Sequence, residues 1–179
     1  MFFVSDIMVM APDSYKSSLQ ELVYESLAKL QISFERVDTD EAISMEDCIA
    51  INKKLDMKMV KTLFLCNSKK TEFHLFVTTA DKPFKSKEFS NALGISRVSF
   101  APAELMESIL GVKIGAATVF GVLMDKDDLV RVVFDKDVLS EEWYGCGDGT
   151  TTGYMKVRTK QIVNDFLNYA KHIPTVIQM

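Results

Sequence analysis

The chain has 179 residues, 47% of them apolar and 26% charged. This length supports one domain with its own core and excludes a large multidomain enzyme, and the composition excludes disordered, collagen-like and low-complexity chains. The formal net charge of −4 argues against a strongly basic nucleic-acid binder.

Cys48, Cys66 and Cys146 are odd in number, far apart and without a Cys-x-x-Cys pair. A disulfide framework or zinc site is therefore not expected, and free thiols fit a reducing cytoplasm. The start, Met1 to Met8, lacks the basic region of a signal peptide, and the longest later apolar run, Ile114 to Met124, falls far short of the ~20 residues that span a bilayer. No membrane association is expected.

Residues 1–14 read as an irregular or strand-like leader, and residues 15–179 as the domain. From Ser14, a candidate N-cap, Leu19, Leu22, Val23, Leu27 and Leu30 recur at helical spacing. Ile32 to Asp38 alternates apolar and polar residues, as a half-buried strand does. Ser44 opens a second helix, with Glu46 and Asp47 at the favourable end of its dipole. Val60–Asn67 and Glu72–Thr79 are strands joined by the turn Ser68 to Thr71. His74 is expected on the wetter face of the second. Ser86–Leu93 is a short helix closed by Gly94. Arg97–Ala101 reads as a strand, Pro102–Leu110 as a helix, and Leu129–Asp135 as a strand after the turn at Asp127 and Asp128. Glu141–Gly149 is glycine-rich and expected to be irregular. Tyr154–Arg158 is a strand, and Thr159 is expected to cap a final helix over Lys160–Lys171. Strands and helices mix without strict alternation, so the fold class is α+β in a single domain.

Recognisable chemistry is sparse. The phosphate loop, the dinucleotide glycine fingerprint and the zinc-protease helix are all missing. The contexts of His74 and His172 suggest no nucleophile pair. The carboxylate pairs Asp127/Asp128 and Glu141/Glu142 read as solvated surface. Lys61, at the start of the apolar strand Lys61-Thr62-Leu63-Phe64-Leu65-Cys66, is the exception: a compact charge on a rigid strand suits a phosphate or a developing oxyanion.

Several segments carry a resemblance: Phe34 to Val37, Met45 to Cys48, Lys61 to Asn67, Asp81 to Lys85, Ser96 to Pro102 and Gly115 to Gly121. In this order and spacing, the run from Leu30 to Val176 resembles the bacterial prolyl-tRNA-synthetase-associated domain in its free-standing trans-editing form. The resemblance implies an α+β fold around a mixed, partly closed sheet or barrel with surrounding helices. It implies hydrolysis of the ester that joins a wrong amino acid to the tRNA 3′ end, most of all alanine on tRNA(Pro), without metal, cofactor or protein nucleophile. A ribose hydroxyl of the tRNA shares in activating water. Lys61 matches the lysine that holds the aminoacyl end and is the expected catalytic residue, with Thr62 beside it. Gly115, Ala116, Ala117, Thr118 and Val119 match the glycine loop that shapes the amino-acid pocket. Such a run lets backbone amides approach a carbonyl closely. Gly147 and Asp148 stand where the family has a His-Pro pair; they are expected at the substrate pocket, where either Asp148 compensates for the missing imidazole or the rim is rebuilt for another substrate. The partners implied are the tRNA acceptor end and, transiently, the synthetase.

The net charge hides an uneven distribution. Residues 53–88 hold nine lysines against four acidic residues, and Lys69, Lys70, Lys85 and Lys87 are the expected tRNA contacts. Three readings compete: a trans-acting deacylase, a non-catalytic module that binds tRNA or an aminoacyl ligand, and a hydrolase of small aminoacyl esters or of a different charged tRNA.

Overall fold

The computed structural model describes all 179 residues. The first helix, α1 (Ser18–Lys29), is capped by Ser17, whose side chain accepts from the Gln20 amide. The expected cap, Ser14, lies outside the helix. Next come β1 (Glu35–Asp38) and α2 (Met45–Leu55). Ser44 and Asp47 form a reciprocal capping box at the start of α2, which satisfies two amides that the helix itself cannot. The long hairpin of β2 (Val60–Asn67) and β3 (Phe73–Thr79) leads to α3 (Ser86–Leu93), closed by Gly94 at φ +66°, and to β4 (Val98–Phe100).

A short helix, α4 (Ala103–Leu105), widens into a π turn over Met106–Leu110. A 3₁₀ segment over Val119–Met124 precedes β5 (Val130–Asp135) and α5 (Lys136–Leu139). The chain ends through β6 (Trp143–Gly147), β7 (Gly153–Arg158), a second π segment over Gln161–Phe166, α6 (Leu167–Tyr169) and β8 (Thr175–Ile177).

The strands form two open sheets rather than a partly closed one. Five strands run in the order β4-β2-β3-β5-β8, and three in the order β1-β7-β6. A single parallel bridge between Met59 and Gly145 links them. The leader lies along β1, through bridges Val4–Thr39 and Met8–Arg36.

The larger sheet is covered on both faces. Phe64, Leu75, Val77, Val132 and Phe134 join the main core with α1 and the 3₁₀ segment. Leu65, Phe76 and Val133 pack on Phe89 of α3. This double cover corrects the expectation for His74, which is buried, meets Phe89 edge-on and leaves Nδ1 without a partner. Burial, with the Arg131 charge nearby, lowers its pKa. Two further expectations change. Part of the stretch read as irregular, Glu141–Gly149, is strand β6. The buried Thr159 hydroxyl makes no hydrogen bond and so caps nothing.

Candidate functional site

A pocket of about 380 Å³ opens where the two sheets meet. The first half of β2, the Ile114–Ala117 loop and the end of β6 supply most of its wall, and Phe100, Ala101, Met106, Thr150 and Tyr154 complete it. Strand β4 pairs only with Leu65–Asn67, so the edge of β2 from Val60 to Leu63 is not covered by that strand. Thr62, Leu63 and Phe64 line the pocket on this side.

The opposite wall is Gly115, Ala116 and Ala117. Gly115 sits at φ +91°, a conformation that favours glycine. Within the protein, only the Ala116 amide of this stretch has an acceptor, the carbonyl of Lys113. The amides of Gly115, Ala117 and Thr118 find none. The Thr118 hydroxyl donates to the Gly147 carbonyl at 3.0 Å and ties the loop to the end of β6.

The sequence-expected residues thus divide into three groups. Thr62, Gly115, Ala116, Ala117 and Gly147 share the pocket. Thr118, Val119 and Asp148 are fully buried behind it and do not line it. Asp148 accepts from Gln20 Nε2 at 2.9 Å, from the Tyr24 hydroxyl at 2.8 Å, and from the amide and hydroxyl of Thr150 at 3.2 and 2.7 Å. It is a clamp between α1 and the β6–β7 loop, not a substitute for a pocket imidazole. Gly147 leaves room: an added Cβ would meet nothing closer than the Thr150 carbonyl at 3.5 Å.

Lys61 belongs to the third group. It does not line the pocket, although its neighbours Val60 and Thr62 do; its ammonium donates to the carbonyl of Lys82. It makes no ion pair. Lys69 and Lys70 occupy the β2–β3 turn, seven and eight residues beyond Thr62. At ~3.3 Å per residue this is about 20 Å or more along the strand. Lys85 pairs with Glu88 at 3.4 Å near the start of α3, where Lys87 also lies.

Sequence reasoning missed Tyr154, Cys146, Thr150, Met106 and Phe100, all lining the pocket. Cys146 and Tyr154 are its only titratable side chains. Burial and then the Asp148 charge push the Cys146 thiol well up, and burial pushes Tyr154 up to about 12. Neither offers a base or a thiolate at neutral pH. Elsewhere, His172 Nε2 lies 2.9 Å from Asp125 with Asp128 nearby, so these three side chains could group around a metal ion. None of them lines the pocket. Asp125 already accepts from the amides of Leu129 and Val130, which accounts for it as a structural clasp.

The profile of the aminoacyl-tRNA editing domain matches residues 39–164. The chain belongs to the aminoacyl-tRNA editing domain family. More particularly, it is 29% identical over 120 residues to the prolyl-tRNA editing protein ProX of Acetoanaerobium sticklandii, covering 67% of this chain and 73% of that protein. It is 24% identical over 169 residues to the prolyl-tRNA synthetase associated domain-containing protein 1 of Danio rerio, covering 93% and 89%. Among solved structures, one described as a candidate trans-editing enzyme for prolyl-tRNA synthetase superposes with a TM-score of 0.66 at 14% identity, covering 92% of this chain and 99% of that one. A scaffold protein from computational epitope grafting superposes equally well, at 13% identity. These two show the shared fold. No helix is long and apolar enough to cross a membrane.

Proposed function

We propose that this chain is a trans-acting deacylase that hydrolyses the ester of mischarged tRNA, with alanine on tRNA(Pro) as its substrate, in the cytoplasm. The observation that carries the reading is the Gly115–Thr118 loop: three amides without internal acceptors, two of them on residues lining an apolar pocket. Preorganised donors of this kind stabilise an oxyanion, at roughly 2.7–4 kcal/mol for each donor that meets it. Water adds to the ester carbonyl and the loop amides receive the developing negative charge. The bond to the ribose oxygen then breaks, the amino acid leaves as a free acid, and the proton from water restores the ribose hydroxyl.

With no side-chain base in the pocket, activation of water falls to the substrate's neighbouring ribose hydroxyl. Lys61 enters as the cation that exchanges the Lys82 carbonyl for the substrate. Its present bond is to a neutral acceptor and is worth only about 1 kcal/mol, less than a bond to a charged group.

The test is release of amino acid from Ala-, Cys- and Ser-tRNA(Pro), with correctly charged Pro-tRNA(Pro) as control. Ala-tRNA(Pro) should be cleaved fastest. Ala117→Val, which fills the pocket beside the free amides, should lower the rate a hundredfold or more while the protein stays folded. Lys61→Ala should lower it as well; an unchanged rate would remove Lys61 from the mechanism. The missing side-chain base also favours a second reading, a module that binds aminoacyl-tRNA without turnover. Saturable binding with all three esters intact would establish that reading instead.

A further inference from the structure

Beside the apolar pocket lies a second cavity of about 490 Å³, and the two share Ala116 and Thr150 in their walls. Their linings are opposite in character. The first is dominated by apolar side chains; the second presents Lys16, Lys113, Glu41, Glu107, Thr151 and Thr152.

Neither lysine is paired with a carboxylate. Lys16 Nζ donates to the Thr152 hydroxyl at 2.5 Å, and Lys113 has no ion pair. Other lysines of the chain are neutralised in place, Lys58 by Glu141 and Lys82 by Asp135 and Asp137. Of the two glutamates, Glu41 is engaged by the Thr151 hydroxyl at 3.2 Å, and Glu107 has no such partner.

The floor of the cleft is fixed before any ligand arrives. The Thr150 amide and hydroxyl are held on buried Asp148, and the Thr152 amide on the Thr150 hydroxyl. The carbonyl of Thr151 takes the Ala42 amide and the Tyr154 hydroxyl, and the carbonyl of Thr152 takes the Thr39 amide.

An aminoacyl-RNA end has the same division: a small acyl group, then an ester, then a ribose carrying one phosphodiester. We propose that the polar cleft seats the 3′-terminal nucleotide of the RNA. Lys16 and Lys113 face its phosphodiester, Glu107 accepts from a ribose hydroxyl, and the ester lies at the Ala116–Thr150 boundary. Two lysines against two carboxylates suit a single phosphodiester and disfavour a polyphosphate, whose extra charge would meet Glu41 and Glu107. A compact ammonium suits the phosphate, and a carboxylate is a common acceptor for ribose hydroxyls. The inference rests on the deacylase reading for its placement of the ester, and it assigns recognition of the terminal phosphodiester to residues outside the lysine-rich segment.

The test uses the full chain and an uncharged RNA hairpin ending in single-stranded CCA, so that binding is read without hydrolysis. Lys16→Ala/Lys113→Ala should weaken binding roughly tenfold at low salt and flatten its salt dependence by about 0.7 log units per lost phosphate contact. Lys16→Arg/Lys113→Arg should restore most of the affinity. Removing the terminal nucleotide from the RNA should weaken wild-type binding similarly, and the double alanine variant should then lose little more, because both changes remove one contact. Wild-type affinity in the double alanine variant would overturn the proposal. So would a full tenfold loss on the trimmed RNA, since the lysines would then act elsewhere. If RNA binds with the expected dependence but no ester is cleaved, the deacylase reading fails and the cleft stands.

Discussion

The segment 53–88 and the walls of the polar cleft both present lysines, but they present them differently. In the segment, Lys54, Lys58, Lys82 and Lys85 are each drawn to a carboxylate, on the leader, at the end of β5, on the β5–β6 connection or on α3. Its remaining lysines are spread over the end of α2, the hairpin and the start of α3. The cleft has only two lysines, from positions 97 residues apart, yet both face one cavity without a counter-ion. Density of charge along the chain and convergence of charge in space are separate properties, and only the second makes a site.

The largest test of this contrast is Asp148→Ala. Asp148 is fully buried and accepts from Gln20, Tyr24 and Thr150. Removing it strands buried donors and should cost about 3 kcal/mol, read as a lower Tm or denaturant midpoint. RNA affinity should fall with it, because the cleft floor loosens. Lys82→Ala makes the opposite point from within the lysine-rich segment. It leaves Asp135, fully buried, without its cation. The cost should be about 2 kcal/mol, below the usual range for a buried pair because Lys82 is partly exposed, with RNA affinity unchanged. Lys69→Ala/Lys70→Ala should leave stability alone and weaken tRNA binding by about threefold at low salt, as contacts to stem phosphates beyond the pocket would. A loss as large as that of the cleft variant would return the RNA end to the hairpin.

The mildest test is pH. The lowered pKa of His74 means that the unfolded chain takes up a proton below about 6.5 while the folded chain does not. Stability should therefore fall as pH drops below that value, and His74→Leu should flatten this acid limb. Near the cleft the sign reverses. Tyr24, Cys146 and Tyr154 are raised, chiefly by burial. The unfolded chain then loses protons first, and stability should fall as pH rises through about 8.5–10. Thermal unfolding across pH separates the two limbs.

Most of the elements were legible because their signals are local. The hairpin β2–β3, the helix closed by Gly94 and the Ser44 capping box all follow from turn chemistry, alternation and cap residues. Strand β6 was not legible because Gly145 and Gly147 look like loop residues. Gly145 is required there by close approach, since a Cβ would lie 2.6 Å from Met57 Sδ and 3.0 Å from the Lys58 carbonyl. His74 misled because alternation implies a wet face only when one side of a sheet is bare. Strand β8 is three residues long and owes its state to parallel pairing with β5. Of the site, the loop at Gly115–Ala117 could be read from its small residues. Thr150, Tyr154, Lys16 and Lys113 could not, because nothing local marks them and only the fold brings them to one place.

The Asp148 clamp bears on where this domain can be cut. The matched family segment begins at residue 39, downstream of Gln20 and Tyr24. A chain trimmed to that boundary would keep a buried carboxylate but lose two of its four donors, along with the helix that shields it. The segment that the family profile matches therefore leaves out a helix on which the buried clamp depends.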